Sequence, residues 1–187
     1  TGGARADEEA ELPADVQAAL ETVRSMQADL VETCEEIRRL TVSVSNLKIP
    51  RDKRNGKKIE GEAPRPDSGG SGVLVERKRK IWVITNVHVV DHADALQVIT
   101  YDGKVRDVSV HDQIRQYDIA LLSFPKRPRD LKAYTLNPSK IKASRDLEEG
   151  AGVVATGNPF FLAFDGKPVT TLGVVSGKDR ILGAGFL

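Results

Sequence analysis

The fold assignment depends most on residues 81–96, IWVITNVHVVDHADAL. It opens with an apolar run of strand type, in which Trp82 alternates with Ile81 and Val83. His88 follows where this run ends, in a chain that has only three histidines. A histidine at the end of a buried strand is either a packed core residue or a reactive group. A reactive histidine needs partner side chains.

Composition narrows the class of protein. The chain has 187 residues, of which 40% are hydrophobic and 29% charged, with a formal net charge of +1. These values are typical of a globular chain, and the net charge favours neither a nucleic acid nor a membrane as partner. No apolar run approaches the roughly 18 residues of a membrane span. The single Cys34 excludes an internal disulfide framework. Because the sequence does not begin with methionine, we expect the natural N-terminus to lie upstream, which leaves export open.

Residues 13–44 carry a heptad pattern that predicts a long helix. Pro13 suits the first helical turn, and no glycine or proline follows before Pro50. Such a helix could pack on its own domain, or it could form a coiled coil that joins protomers. The segment LTVSVSNL, residues 40–47, alternates and could equally begin a β-strand. We predict a helical extension over residues 1–47 with the seam Val16, Leu20, Val23, Gln27, Leu30, Cys34, Ile37, Thr41 and Val44.

Residues 48–71 lack periodicity and are rich in proline, glycine and charge, which predicts a linker or surface loop. Its basic half, residues 48–58, could attract an anionic partner. No aromatic residue is interleaved with these cations, so a solvated loop is favoured and no nucleic-acid partner is predicted.

From Gly72 onward apolar residues recur at every second position, which predicts β-strands. Their short length and close spacing indicate an all-β antiparallel barrel or sandwich, because no crossover helix fits between them. We predict a first barrel over residues 72–135 and part of a second over residues 136–187. The predicted strands are residues 72–76, 80–85, 96–101, 105–111, 118–124, 151–157 and 169–177.

A partner for His88 is available in QYDIALLSF, residues 116–124. Asp118 stands at the start of an apolar strand, where an unpaired acid is costly. A general-base histidine needs such a carboxylate to hold its tautomer and to stabilise the imidazolium. From the pattern alone two interpretations stay open: a catalytic pair, or a capping aspartate beside a satisfied core histidine.

Several separate motifs occur in an order and at a spacing that resemble the HtrA/Deg branch of the trypsin-like serine peptidases. The match extends over residues 70–177. The motifs are Gly70-Ser71-Gly72, Thr85-Asn86-Val87-His88-Val89-Val90, Asp102-Gly103, Tyr117-Asp118-Ile119-Ala120-Leu121-Leu122, the GNPF turn at 157–160 and the strand VTTLGVVSG at 169–177. This sequence carries a few extra residues around positions 164–168.

The resemblance implies a chymotrypsin-like double β-barrel and a serine endopeptidase that acts on proteins or peptides. It assigns His88 as the catalytic base and Asp118 as the acid that orients it. It implies no cofactor, and it implies an extracytoplasmic location, periplasmic or secreted. The helix at residues 13–44 would then join protomers or dock a partner.

The family's nucleophile motif, Gly-Asn-Ser-Gly-Gly, does not occur in these 187 residues. Ser176 is followed by Gly177, but it aligns with a strand serine of the family and lacks the glycine-rich turn of an oxyanion hole. We therefore expect the nucleophile to lie beyond Leu187 and the 187 residues alone to be inactive. The alternative is a catalytically inactive scaffold or sensor, tethered by the helix.

A metal site near His88 is the last possibility that the sequence raises. His88 and His92 lie four residues apart, with Asp91 and Asp94 nearby. No third strong ligand accompanies them at helical spacing, so we predict no metal site. His111 is expected to be a surface residue near a strand end.

Overall fold

The computed structural model describes residues 12–135, 146–158 and 167–178. A long helix precedes a series of short strands, as the change of period in the sequence predicts. The elements are α1 (Ala14–Leu40), β1 (Thr41–Lys48), β2 (Arg65–Arg77), β3 (Lys80–Thr85), α2 (Val87–Val90), β4 (Ala95–Ile99), β5 (Val105–Ile114), a 3-10 turn (Arg115–Tyr117), β6 (Ile119–Ser123), β7 (Tyr134–Thr135), β8 (Gly152–Gly157) and β9 (Val169–Val174).

Strands β1 to β6 form a closed antiparallel barrel. The order around the barrel is β1-β4-β5-β6-β3-β2, and β2 pairs again with β1. Closure leaves none of these strands as a free edge, which removes the usual site of unwanted strand pairing. The short β7 adds to β2 in parallel, at Val75 and Glu76. The predicted all-β class is confirmed.

The barrel core is made by alternate residues of each strand, because successive side chains point to opposite faces. In β3, for example, Ile81 and Val83 are buried while Lys80 is exposed. The fully enclosed aliphatic side chains come from five different strands, so the core is contiguous. Those with at most 1% exposure are Val42, Val44, Leu74, Val83, Val98, Ala120 and Leu122.

The predicted boundary of the helical extension at residue 47 is wrong. The helix ends at Leu40, and Thr41–Lys48 is β1, a strand buried on both faces. Val42 and Val44 enter the barrel core, so the last seam positions of the predicted heptad belong to a strand. The sequence allowed either a helix or a strand here. β-Branched residues favour the strand, and hydrogen bonding to both β2 and β4 fixes it.

The predicted linker at residues 48–71 is also wrong at its C-terminal end. Residues 65–71 belong to β2 and pair with β1. Glycine allows close packing here: a Cβ atom on Gly72 would lie 2.6 Å from Val83 Cγ1, and one on Gly70 would lie 2.7 Å from Val89 Cγ2. Glycine and serine give no alternation of apolar and polar side chains. The sequence pattern therefore does not reveal this half of the strand.

Helix α1 is 27 residues long and has no buried residue, although it contacts β1, β2, β8 and β9. Cys34 is half-buried and free. No helix in the described part of the chain is long and apolar enough to cross a bilayer. Oligomerisation through this helix stays a prediction. Its exposed large hydrophobic residues are Val16, Leu20, Val23, Met26 and Val31.

A second, two-stranded sheet lies beside the barrel. β8 and β9 form an antiparallel hairpin, with Gly152 opposite Val174. The two strands predicted in this region are therefore present. The remainder of the predicted partial second barrel, residues 136–145, 159–166 and 179–187, lies outside the described residues.

Candidate active site

The barrel brings His88 and Asp118 together. β3 and β6 are antiparallel neighbours, with Thr85 opposite Ala120. The end of β3 therefore meets the beginning of β6. His88 lies in α2, directly after β3, and Asp118 immediately precedes β6. Two residues thirty positions apart in sequence thus share one rim of the barrel.

The carboxylate of Asp118 is held by two different groups of His88. Its Oδ2 lies 2.5 Å from Nδ1 of the imidazole. Its Oδ1 accepts a hydrogen bond of 2.9 Å from the backbone N–H of His88. Because both oxygens are engaged, neither the carboxylate nor the ring can rotate without losing a hydrogen bond.

The backbone of Asp118 is fixed as well. Its carbonyl oxygen accepts hydrogen bonds from Asn86 Nδ2 at 3.0 Å and from the N–H of Val87 at 3.3 Å. Asp118 also adopts a left-handed conformation with φ of 52°. That conformation costs most L-residues about 1–2 kcal/mol, although aspartate tolerates it better than bulkier residues. In this conformation the side chain lies against His88.

Electrostatics keep Asp118 ionised. The backbone N–H of His88 is the main group that lowers the pKa of Asp118 below its ordinary value of 3.8, with a further contribution from the imidazole. A carboxylate on Nδ1 holds the proton on that nitrogen and leaves Nε2 as the proton acceptor. The His88 side chain is 72% exposed, so a substrate-side group can reach the ring.

We expect this pairing to make the fold sensitive to acid. Since the pKa of Asp118 is lower in the folded chain, its stabilisation is complete above the unfolded value and is lost as the pH falls through the folded value. The free energy of unfolding, measured by chemical denaturation between about pH 6 and pH 2.5, should fall less steeply in Asp118→Asn. Identical pH profiles for both proteins would contradict the assignment.

Another contact joins the second sheet to the barrel. Asn158 follows β8 and is 1% exposed. Its side-chain Nδ2 donates to Ser43 Oγ at 2.8 Å, and its backbone N–H donates to Ser71 Oγ at 2.7 Å. The sequence predicted a turn here but not this joint. Serine alternating with valine in β1 was the available signal, because a polar residue on a covered strand face needs a partner.

The acids near His88 hold cations and backbone groups of the chain. Asp91 accepts a hydrogen bond from Arg115 at 3.0 Å. Asp94 pairs with Lys58 at 2.7 Å and accepts the N–H of Ile49 at 2.8 Å. Arg115 and Lys58 respectively lower the pKa of Asp91 and that of Asp94 below the ordinary range. In the described ranges no three metal-ligating residues cluster.

Ser176 lies past the end of β9 and is exposed. None of the hydrogen bonds found among the described residues joins it to His88. That the nucleophile lies elsewhere than at Ser176 stays a prediction.

A closed six-stranded barrel that pairs a histidine and an aspartate at one rim is the arrangement of the trypsin-like peptidase class. The family described as "Trypsin-like peptidase domain" matches residues 70–185, and the chain belongs to this family. The resemblance recognised in the sequence motifs, and the all-β trypsin-like fold that it implied, are confirmed.

Similar proteins are bacterial serine proteases of the HtrA/Deg type. The periplasmic serine endoprotease DegP of Salmonella typhimurium is 39% identical over 111 residues, which are 59% of this chain and 21% of that protein. A probable periplasmic DegP-like endoprotease of Brucella suis is 36% identical over 138 residues, 72% of this chain and 24% of that protein. The serine protease Do-like HtrA of Lactobacillus helveticus is 30% identical over 116 residues, 62% and 26% of the two chains. The chain thus spans a fifth to a quarter of these relatives.

Proposed function

We propose that this chain is part of a serine endopeptidase of the HtrA type, with His88 as general base and Asp118 as the acid that orients it. The observation that supports this most directly is the doubly held carboxylate, 2.5 Å from the imidazole Nδ1. An aspartate that merely capped a turn would not need the histidine ring. The substrates are proteins or peptides, and no cofactor takes part.

The reaction needs a serine that these 187 residues do not provide in the family's motif. In the complete protein, His88 Nε2 takes the proton of that serine hydroxyl while the oxygen attacks the scissile carbonyl. Asp118 stabilises the imidazolium that forms. His88 then gives the proton to the leaving amine, and water hydrolyses the acyl-enzyme by the same route in reverse. Backbone N–H groups beside the serine would each contribute about 2.7–4 kcal/mol to the oxyanion.

The location proposed for the protein is extracytoplasmic. Relatives from Salmonella typhimurium and Escherichia coli are named as periplasmic. Self-association through α1 belongs to the same proposal, because its apolar residues Val16, Leu20 and Val23 are exposed. An exposed apolar stripe on a helix commonly packs against another helix.

The test is covalent labelling of the complete protein, with the coding sequence extended past Leu187, by a fluorophosphonate probe. This probe reacts with serines that an adjacent base activates. We expect labelling in the native protein and its loss in His88→Ala. His92→Ala is the matched control, because His92 is 84% exposed and has no contact with Asp118 among the described residues.

Labelling that persists in His88→Ala would disprove the role of His88. Absence of labelling in the native protein, with no downstream serine in a glycine-rich turn, would favour the inactive scaffold. His88 and Asp118 would then be remnants of an ancestral site.

A further inference from the structure

A cationic surface lies at the end of the barrel remote from His88. It consists of Lys78 and Arg79 in the turn between β2 and β3, of the flanking strand ends Arg77 and Lys80, and of Lys126 and Arg127 after β6. We call these six residues the basic rim. All six are exposed. Arg127 is bound to Glu76 at 2.9 Å, which ties the two segments together.

The turn of the basic rim is strained. Arg77 pairs with Lys80, so Lys78 and Arg79 alone make the turn. Both are left-handed, with φ of 50° and 62°. Two-residue hairpins of this kind prefer Asn-Gly, because other residues pay for positive φ. Here the strained positions carry cations, and within the described residues neither forms an ion pair. Residues with strained backbone are found often at functional sites.

A groove of about 370 Å³ adjoins the basic rim. Trp82 and His111 form its aromatic side, with ring centroids 4.6 Å apart, and Phe124 and Pro125 also line it. The Phe124 side chain packs against the barrel core. Trp82 is opposite Ser123 in the register of β3 and β6, so the groove crosses the outer face of the barrel. The Nζ of Lys80 lies 5.9 Å from the Trp82 ring centroid. The floor is thus aromatic, and the entrance is cationic.

The groove is separate from the catalytic pair. Lys80 and His88 flank β3 at its two ends. At about 3.3 Å per residue, this strand keeps the two sites on the order of 20 Å apart. A ligand in the groove would therefore leave the rim that holds His88 and Asp118 accessible.

We propose that the groove and the basic rim bind an acidic segment of a protein, which packs one aromatic side chain against Trp82 and His111 and sets its carboxylates on Lys80 and Arg79. Charge complementarity argues for an acidic ligand. The recess argues for an inserted side chain, since its volume of about 370 Å³ admits an aromatic ring. Such a site would hold a substrate or partner while the catalytic pair acts elsewhere on it.

Two other anionic partners fit less well. Single-stranded nucleic acid needs several stacking platforms along a basic track, whereas the described surface has one tryptophan in one groove. An anionic membrane is contacted by protruding apolar side chains. The tip of the basic rim is Lys78 and Arg79, and no exposed large hydrophobic residue lies between residues 77 and 82.

The test is binding of the fluorescein-labelled peptide Glu-Glu-Phe-Glu-Glu, followed by fluorescence anisotropy. The emission of Trp82, the single tryptophan of the 187 residues, is followed in parallel. We expect saturable binding that weakens with salt and shifts the Trp82 emission. In Arg79→Gln/Lys80→Gln the affinity should fall about 2- to 30-fold, as expected for two lost surface ion pairs. The readout does not require the serine, so it is independent of the proposed peptidase activity.

Lys53→Gln/Arg54→Gln is the matched control, because it removes the same charge from another exposed basic hairpin. Equal loss of affinity in this control would show non-specific attraction and would overturn the proposal. So would equally tight binding of Glu-Glu-Ala-Glu-Glu, since the groove would then have no role. Binding of oligothymidylate or phosphatidylglycerol vesicles, but not of the peptide, would also overturn it and would identify the surface as a nucleic-acid or membrane site.

Discussion

Replacement of Asp118 by asparagine is expected to lower the proposed peptidase activity of the complete protein. Its kcat, and kcat/KM with it, should fall about 10⁴-fold, which is the drop in kcat that this change causes in the best-studied member of the trypsin-like superfamily. The amide can donate to Nδ1, which leaves the proton on Nε2, where the base must be free. It also carries no charge to stabilise the imidazolium. The backbone N–H of His88 keeps an acceptor in the amide oxygen, so the fold should persist. Steady-state cleavage of an unfolded protein substrate measures the effect.

Asp112→Asn provides the control for this prediction. Asp112 is an exposed aspartate of β5 that accepts only the N–H of its neighbour Gln113 among the described residues. We expect its kcat/KM to stay near the native value. A loss below about tenfold in Asp118→Asn, with an unchanged circular dichroism spectrum, would be too small for a group that fixes the base and would contradict the assigned role.

Replacement of Leu122 by alanine is expected to lower the free energy of unfolding by about 2–5 kcal/mol. Leu122 is fully buried in β6 within the barrel core. Its neighbours in the closed barrel come from several strands, so they cannot all move to fill the space left by the side chain. Chemical denaturation followed by circular dichroism measures the change.

Ile119→Ala is the matched control in the same strand. It removes the same number of carbon atoms from a side chain that is 42% exposed. We expect its destabilisation to be well under half that of Leu122→Ala, because surface substitutions cost little. Equal losses at the two positions would show that the barrel interior is not packed as described.

The strands were predictable where side chains alternate and unpredictable where glycine and serine replace them. Lys80–Thr85 was predicted at its exact bounds. The first half of β2 and all of β1 were missed or left open, because their assignment depends on pairing partners tens of residues away. Heptad spacing continued into Thr41 and Val44 by coincidence, and the tertiary pairing overrode it.

Some residues of the candidate sites could be identified from the sequence, and others could not. His88 and Asp118 were identifiable because each stands at the end of an apolar strand and because their motifs resemble a family. The groove at Trp82 was not identifiable, since Trp82, His111 and Phe124 come from three different segments. The hydrogen bonds of Asn158 to Ser43 and Ser71 were not identifiable either, because these residues lie far apart in sequence.

The all-β class, the family and the identity of the paired histidine and aspartate follow from the amino-acid sequence, because they depend on the local spacing of apolar residues and on motifs. That the carboxylate of Asp118 binds both the ring and the backbone N–H of His88 is visible only once the chain is folded. The same holds for the closure of the barrel by residues 41–48. The physical reason is that hydrogen bonds and packing between distant segments depend on how the strands pair, which no local pattern contains.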